Sequence, residues 1–211
     1  MRLVLRAMIG CLLLLSGGLS PSYAAQPIVE ATKMKEGQIL RGQFEQERHL
    51  KGFQAPLKST GKFVLSPGKG LIWATEAPFA VTTVMSPGGL LQEVRGKETM
   101  RLSASKLPFM SKLYAMLGGA LTGDWRALSS TFNVVRKPQG DGWSLELTPL
   151  NPDDPAFPIK SIQAKGKALL EEVEILKPDG DRDRLIFRNQ KIDTTAPTAQ
   201  EAALLETAAK Q

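Results

Sequence analysis

Three features of this sequence predict a mainly β protein with some α: a strongly curved antiparallel sheet, or incomplete barrel, with helices against its concave face. Short segments alternate apolar and polar residues along most of the chain. Gly- and Pro-rich turns separate them in series. One block in the middle switches from a period of two to steps of three and four. The 211 residues, 42 % hydrophobic and 23 % charged, suffice for one domain with a substantial core.

The N-terminus reads as a targeting segment. Arg2 and Arg6 precede the apolar run MIGCLLLL, Met8 to Leu15, and small residues follow, with an A-x-A-like site at Ser22-Tyr23-Ala24. This is the pattern of a secretory signal peptide over residues 1–24, cut after Ala24 or Ala25, which leaves a single domain over 25–211. The apolar run falls well short of the roughly 18 to 20 residues that span a bilayer. Cys11 is the only cysteine and leaves with the signal, so the mature domain has no disulfide, no reactive thiol and no Cys-ligated zinc. Such a chain suits a bacterial periplasm. Losing Arg2 and Arg6 from 27 basic residues, against 21 acidic ones, leaves a net charge of about +4. That mild excess, richest between Lys33 and Lys69, has no nucleic-acid motif behind it and reads as a solvated face.

Residues 25–37 carry the pattern of a short helix limited by Gly37. From Gln38 to Leu50, Leu40, Gly42 and Phe44 alternate with Arg41, Gln43 and Glu45, as in a long half-buried strand. Next, Phe63 and Leu65 share a face, Ser66-Pro67-Gly68-Lys69-Gly70 makes a turn, and Leu71 and Trp73 return, with Ile72 and Ala74 on the opposite face. AVTTVMS and LLQEVRG flank Pro87-Gly88-Gly89 as a second hairpin, and ETMRLSA follows. Leu107, Met110, Leu113, Tyr114, Leu117 and Leu121 then recur at helical spacing. Gly118 and Gly119 are read as the stop of that helix, and Asp124 as the cap of a short one through Leu128. Strands resume with TFNVV and with GWSLELT, where Trp143, Leu145 and Leu147 alternate with polar residues. IKSIQAKG, ALLEEVEIL and DRLIFRN follow, the last two joined at Pro178-Asp179-Gly180-Asp181. Thr198 and Glu201 form a capping box that opens a small Ala-rich helix.

The chemistry of catalysis finds little support. His49 is the only histidine and sits among charged neighbours at a strand end, with no nucleophile-elbow sequence in the chain. Asp179 to Asp183 begins like a calcium loop but lacks the sixth-position glycine and the twelfth-position glutamate. The adjacent pairs Glu171-Glu172 and Asp153-Asp154 point to opposite faces of any strand. Gly68-Lys69-Gly70 lacks the spacing of a phosphate-binding loop. No catalytic residue, metal or cofactor is assigned. What remains is apolar: Phe44, Phe63, Trp73, Phe79, Met85, Met100, Phe109, Met110, Met116, Trp125 and Trp143 read mostly as core, with a pocket shared among some of them.

The run from Phe44 to Phe79 resembles the LolA family of periplasmic carriers. Phe44, Gln46, Gly61, Phe63, Leu65, Trp73 and Pro78 stand at the family's F-x-Q, G-x-F/L-x-V, W and P positions, and GWSLELTP is similar to a strand of the family that ends in L-x-P. The resemblance covers most of residues 38–190. It implies an incomplete barrel lidded by helices, whose hydrophobic concavity holds acyl chains of a lipoprotein or (glyco)lipid between an inner-membrane donor and an outer-membrane acceptor. On this reading Leu40, Phe44, Phe63, Leu65, Leu71, Trp73, Met85, Trp143 and Leu145 line the concavity, and Leu107, Met110, Leu113, Tyr114 and Leu117 belong to the lid. One departure stands out. Where the family has a K/R-P step with a latching arginine, this chain reads Ser66-Pro67, which points towards relatives associated with other lipids. The expected function is a monomeric, non-enzymatic carrier. A lipid-ester hydrolase and a non-binding envelope scaffold are the alternatives.

N-terminal sequencing of the protein isolated from its native envelope is expected to begin at Ala25 or Gln26, without acylation. An N-terminal lipidated Cys11 would refute the signal-peptide reading.

Overall fold

The structure, a computed structural model, describes residues 33–35, 37–106, 118–122, 125–154 and 158–210. Eleven strands run in chain order: β1 (Ile39–His49), β2 (Leu57–Ser66), β3 (Gly70–Ala77), β4 (Val81–Ser86), β5 (Gly89–Val94), β6 (Lys97–Ser103), β7 (Phe132–Gln139), β8 (Gly142–Pro149), β9 (Ser161–Gly166), β10 (Leu170–Leu176) and β11 (Arg182–Asp193). They form one sheet in the order β6-β5-β4-β3-β2-β1-β11-β10-β9-β8-β7. Every pairing is antiparallel, and the sheet does not close: β6 and β7 are its two edges, and the chain between them is the 104–131 connection.

Two meanders, β1–β6 and β7–β11, are therefore sewn together along β1 and β11, from Ile39 opposite Asp193 to His49 opposite Arg182. Curvature has local causes. The β1–β11 register slips between Arg41 and Gln43, and Asn189 on the opposing strand takes a left-handed φ of 51°. Further slips fall at Thr60/Gly61, Gln92/Glu93 and Leu170/Glu172. Two glycines let aromatic rings lie across neighbouring strands. A Cβ on Gly42 would stand 2.6 Å from Phe63 Cε1, and one on Gly61 would meet Phe44 Cζ at 2.8 Å and run into the Ala74 carbonyl.

The alternation read from the sequence holds in β3. Leu71 and Trp73 join the main core on the concave face, whereas Ile72 joins a second cluster with Val84, Leu91, Leu205 and Ala208 on the convex face. That second cluster is made by the C-terminal helix, Ala199–Ala209, which packs on the convex side of β3–β5. The Thr198–Glu201 capping box is present. Glu201 does a second job: it accepts hydrogen bonds from Arg41 Nε at 3.2 Å and Nη2 at 2.8 Å, which ties the helix to the middle of the sheet.

Across the rest of the convex face runs an alternating chain of charges. Lys165 meets Glu172 at 3.1 Å, Glu172 takes a two-pronged contact from Arg184 at 3.0 Å, Arg184 reaches Glu47 at 3.5 Å, and Glu47 meets Lys58 at 2.8 Å. Arg184 holds the Glu172 carboxyl below the usual glutamate range.

One sequence expectation changes, and two others fall partly outside the described residues. Gly118 and Gly119 do not end a helix but lie within the helical residues 118–122, where Thr122 Oγ1 donates to the Gly118 carbonyl at 2.8 Å. Residues 125–130 form a 3-10 turn, Trp125–Ser130; the proposed cap, Asp124, lies outside the described residues. Most of the helix read over 25–37 also lies outside them, and residues 33–35 are not helical.

Gly61→Ala is expected to lower Tm by about 5 °C or more, because its Cβ meets backbone that cannot step aside. Gly118→Ala, where nothing lies within 4 Å, should leave Tm unchanged or raise it. A second expectation concerns Glu201, whose carboxyl the Arg41 guanidinium holds below its ordinary value. A lowered folded-state pKa means stability that is present above the unfolded-state pKa and lost as pH falls through the folded one. Glu201→Gln keeps a side chain able to cap the helix but removes the charge. Its Tm deficit relative to the parent should be full at pH 7 and vanish as pH falls below about 4.

Candidate functional site

Cross-strand register builds the concave face row by row. In the first row Leu40 stands opposite Leu65, Leu65 opposite Leu71, Leu71 opposite Met85 and Met85 opposite Leu90. In the next, Gly42, Phe63, Trp73, Thr83 and Gln92 follow in the same way, and beyond them Phe44 faces Gly61. Because side chains alternate, all of these project from one face.

The nine residues assigned to a cavity from the sequence fall in a single cluster. Leu40, Phe44, Phe63, Leu65, Leu71, Met85, Trp143 and Leu145 are buried in it, and Trp73 is half-buried against it. The aromatics make a compact group. Phe44 stacks on Trp73 with ring centroids 3.8 Å apart, and Phe187 meets Phe63 edge-on at 5.5 Å. Trp143 directs its indole N–H to the Lys167 carbonyl at 2.6 Å, so its polar atom is satisfied.

The five residues assigned to a lid, Leu107, Met110, Leu113, Tyr114 and Leu117, lie outside the described residues. The described parts of the same connection do reach the concavity: Leu121 and Leu128 are buried members of the main cluster. Thr122 also accepts a hydrogen bond from the Met34 amide at 3.3 Å, which joins the chain before β1 to this cover. Ser66 is buried in its turn, where its carbonyl accepts from Lys69 N at 3.0 Å.

Apart from Trp143 and Leu145 on β8, sequence reasoning left out the other wall. Leu185 and Phe187 on β11, Val173 on β10, Ile162 on β9 and Phe132 on β7 belong to the same cluster. The alternation of DRLIFRN already marked Leu185 and Phe187 as one face. It also left out a polar margin. Along β1 the inward series Leu40, Gly42, Phe44 continues as Gln46 and Arg48, facing Ser59 and Leu57 on β2. Phe79, counted with the core from its composition, is instead 76 % exposed at this margin.

Acid–base and metal chemistry find no frame here. His49 is 3.8 Å from Glu47, on the face away from the concavity. Among the described residues no group of three or more His, Cys, Asp or Glu side chains converges as a metal site. No helix among them is long and apolar enough to cross a membrane.

A family model described as outer membrane lipoprotein carrier protein LolA-like matches residues 29–209. Among solved structures, the chain is similar to a LolA superfamily protein from Nitrosomonas europaea, at 9 % identity over 78 % of this chain and 90 % of that one, with a TM-score of 0.38. It is also similar to a putative outer membrane lipoprotein-sorting protein domain from Vibrio parahaemolyticus, at 12 % identity over 85 % and 94 % of the two chains, TM-score 0.40. A third is the MucA/MucB complex of Pseudomonas aeruginosa, at 15 % identity over 78 % of this chain and 55 % of that one, TM-score 0.36. No curated protein sequence matches.

Proposed function

Because the chain belongs to the family of outer membrane lipoprotein carrier protein LolA-like proteins, we propose that it is a periplasmic carrier. It takes acyl chains of a lipoprotein or (glyco)lipid into the concave face, receives them from an inner-membrane donor and carries them towards the outer membrane, with no chemical step of its own. The observation that supports this reading is the way the apolar concave face is covered. Leu121 and Leu128 reach it from the connection between the two edge strands, whose described residues form no strand of the sheet. The cover can therefore give way without breaking a strand pairing.

Cover and ligand compete for the same surface. Burying methylenes contributes about 0.8 kcal/mol each, so a single acyl chain offers several kcal/mol against the burial lost by the displaced leucines. A ligand that binds only the uncovered state shifts the population towards it. Loosening the cover should accordingly strengthen binding.

Native mass spectrometry of the protein purified from its own envelope is expected to show an acyl-bearing adduct. Titration with a dansylated undecanoic acid should then give saturable binding, about tenfold tighter when Leu121→Ala and Leu128→Ala are combined, since a ~1.4 kcal/mol easier opening is a factor of ten. Parent and variant that both lack an adduct and both fail to take up the probe would refute the carrier.

A further inference from the structure

Polarity changes along the concave face. At one end Leu40 and Leu71 are fully buried and Leu65 nearly so. Towards the other end of β1, the same inward series passes through Phe44 to the half-buried Gln46 and the exposed Arg48. Ser59 Oγ donates to Gln46 Oε1 at 3.4 Å, and Arg48 stands directly opposite Asp183 on β11.

Around these side chains lies a groove of about 390 Å³, lined by Gln46, Arg48, Leu57, Lys58, Ser59 and Phe79, with Pro78 beside them. None of the described lining residues is a carboxylate. Arg48 gives its Nε to Asp183 at 2.9 Å, which orients the guanidinium, while Lys177 approaches the same carboxylate at 3.0 Å. The trio therefore carries one more positive than negative charge. The neighbouring Lys58 is matched by Glu47 at 2.8 Å on the opposite face, and Asp181 accepts from the Lys51 amide at 2.8 Å in the adjoining loop. The rim is apolar and uncovered: Leu57 and Phe79 are 56 % and 76 % exposed. Apolar rim, oriented guanidinium and hydrogen-bonding amide and hydroxyl adjoin one another where the apolar concavity ends.

We propose that the groove at Gln46, Arg48 and Ser59 is a headgroup subsite, which takes the anionic group of an amphiphile whose chain runs on towards Leu65 and Leu71. The inference rests on the carrier reading and adds the class of ligand to it. Arg48 supplies charge-assisted hydrogen bonds to a phosphate or carboxylate, and Gln46 and Ser59 supply neutral ones beside it. The low polarity of the adjoining wall strengthens them.

The test uses four competitors against a dansylated undecanoic acid probe on the full mature chain: dodecyl phosphate, dodecyl maltoside, dodecyltrimethylammonium and inorganic phosphate. Dodecyl phosphate is expected to compete about tenfold or more better than the other two dodecyl compounds, and inorganic phosphate not at all. In Arg48→Gln the preference should collapse to about onefold with dodecyl maltoside still competing, and Arg48→Lys should keep part of it. Equal competition by the three dodecyl compounds, or a preference that survives Arg48→Gln, overturns the subsite and leaves the carrier standing. Inorganic phosphate competing as well as dodecyl phosphate overturns it too, by making the groove a site for free anions. Failure of every dodecyl compound to compete removes the carrier reading and this inference together.

Discussion

The architecture depends on two places where a side chain is missing. Gly42 and Gly61 leave room for Phe63 and Phe44 to lie across the strands beside them, and a Cβ at either position would meet those rings within 3 Å. Flat rings over bare backbone let β1, β2 and β3 coil tightly, as glycine kinks and bulges do in strongly bent sheets. From that coil follow the stack of Phe44 on Trp73, the edge contact of Phe187 on Phe63, and a concave face in place of a flat one. An ordinary β-rich composition would pack as well in a sandwich. Placing glycine opposite aromatic makes the difference.

The convex face shows how one sheet solves two solvation problems. Over β3–β5 its outward residues are apolar, Ile72, Val84 and Leu91, and the C-terminal helix covers them with Leu205 and Ala208. Over β9–β11, β1 and β2 they are charged, and the chain from Lys165 to Lys58 satisfies them across five strands. Exposed pairs of this kind contribute little singly, although charges that share partners hold register better than isolated ones. Arg41 joins the two regions through Asp193 at 3.4 Å and Glu201 at 2.8 Å. Arg41 thus secures the C-terminal helix on the convex face, away from the cover of the concavity.

Much of this was legible because it is local. Alternation assigned Leu71 and Trp73 to one face and Ile72 to the other, turn residues placed the hairpin at Pro67–Gly68, and Thr198 with Glu201 marked the helix start. The pairing of β1 with β11 was not legible, since no local pattern encodes a contact between residues so far apart. The seat of the C-terminal helix was hidden for a similar reason, yet a clue existed: Leu71-Ile72-Trp73 and Leu90-Leu91 put apolar residues on both faces of β3 and β5, which a sheet with one wet face does not need. In the concavity, apolar residues announced themselves by type. Gln46 and Ser59 did not, because their meaning lies in being the polar continuation of an apolar row. Gly118 and Gly119 misled because glycine is a weak breaker when the helix is held by tertiary contacts, here through Leu121.

The seam between β1 and β11 also orders events in time. Arg48 meets Asp183 across 135 residues of sequence, and every other pairing in the sheet joins strands that are consecutive in the chain. Each meander can therefore assemble from its own hairpins, but the two halves cannot join until β11 is available. Contacts this distant are slow to form, because loop closure comes before any gain from pairing. A chain that emerges N-terminus first thus exposes the inner edge of β1 until its last strand arrives. The molecule completes itself late, and an unpaired β1 edge in that interval is the place where a holding chaperone would find backbone to bind.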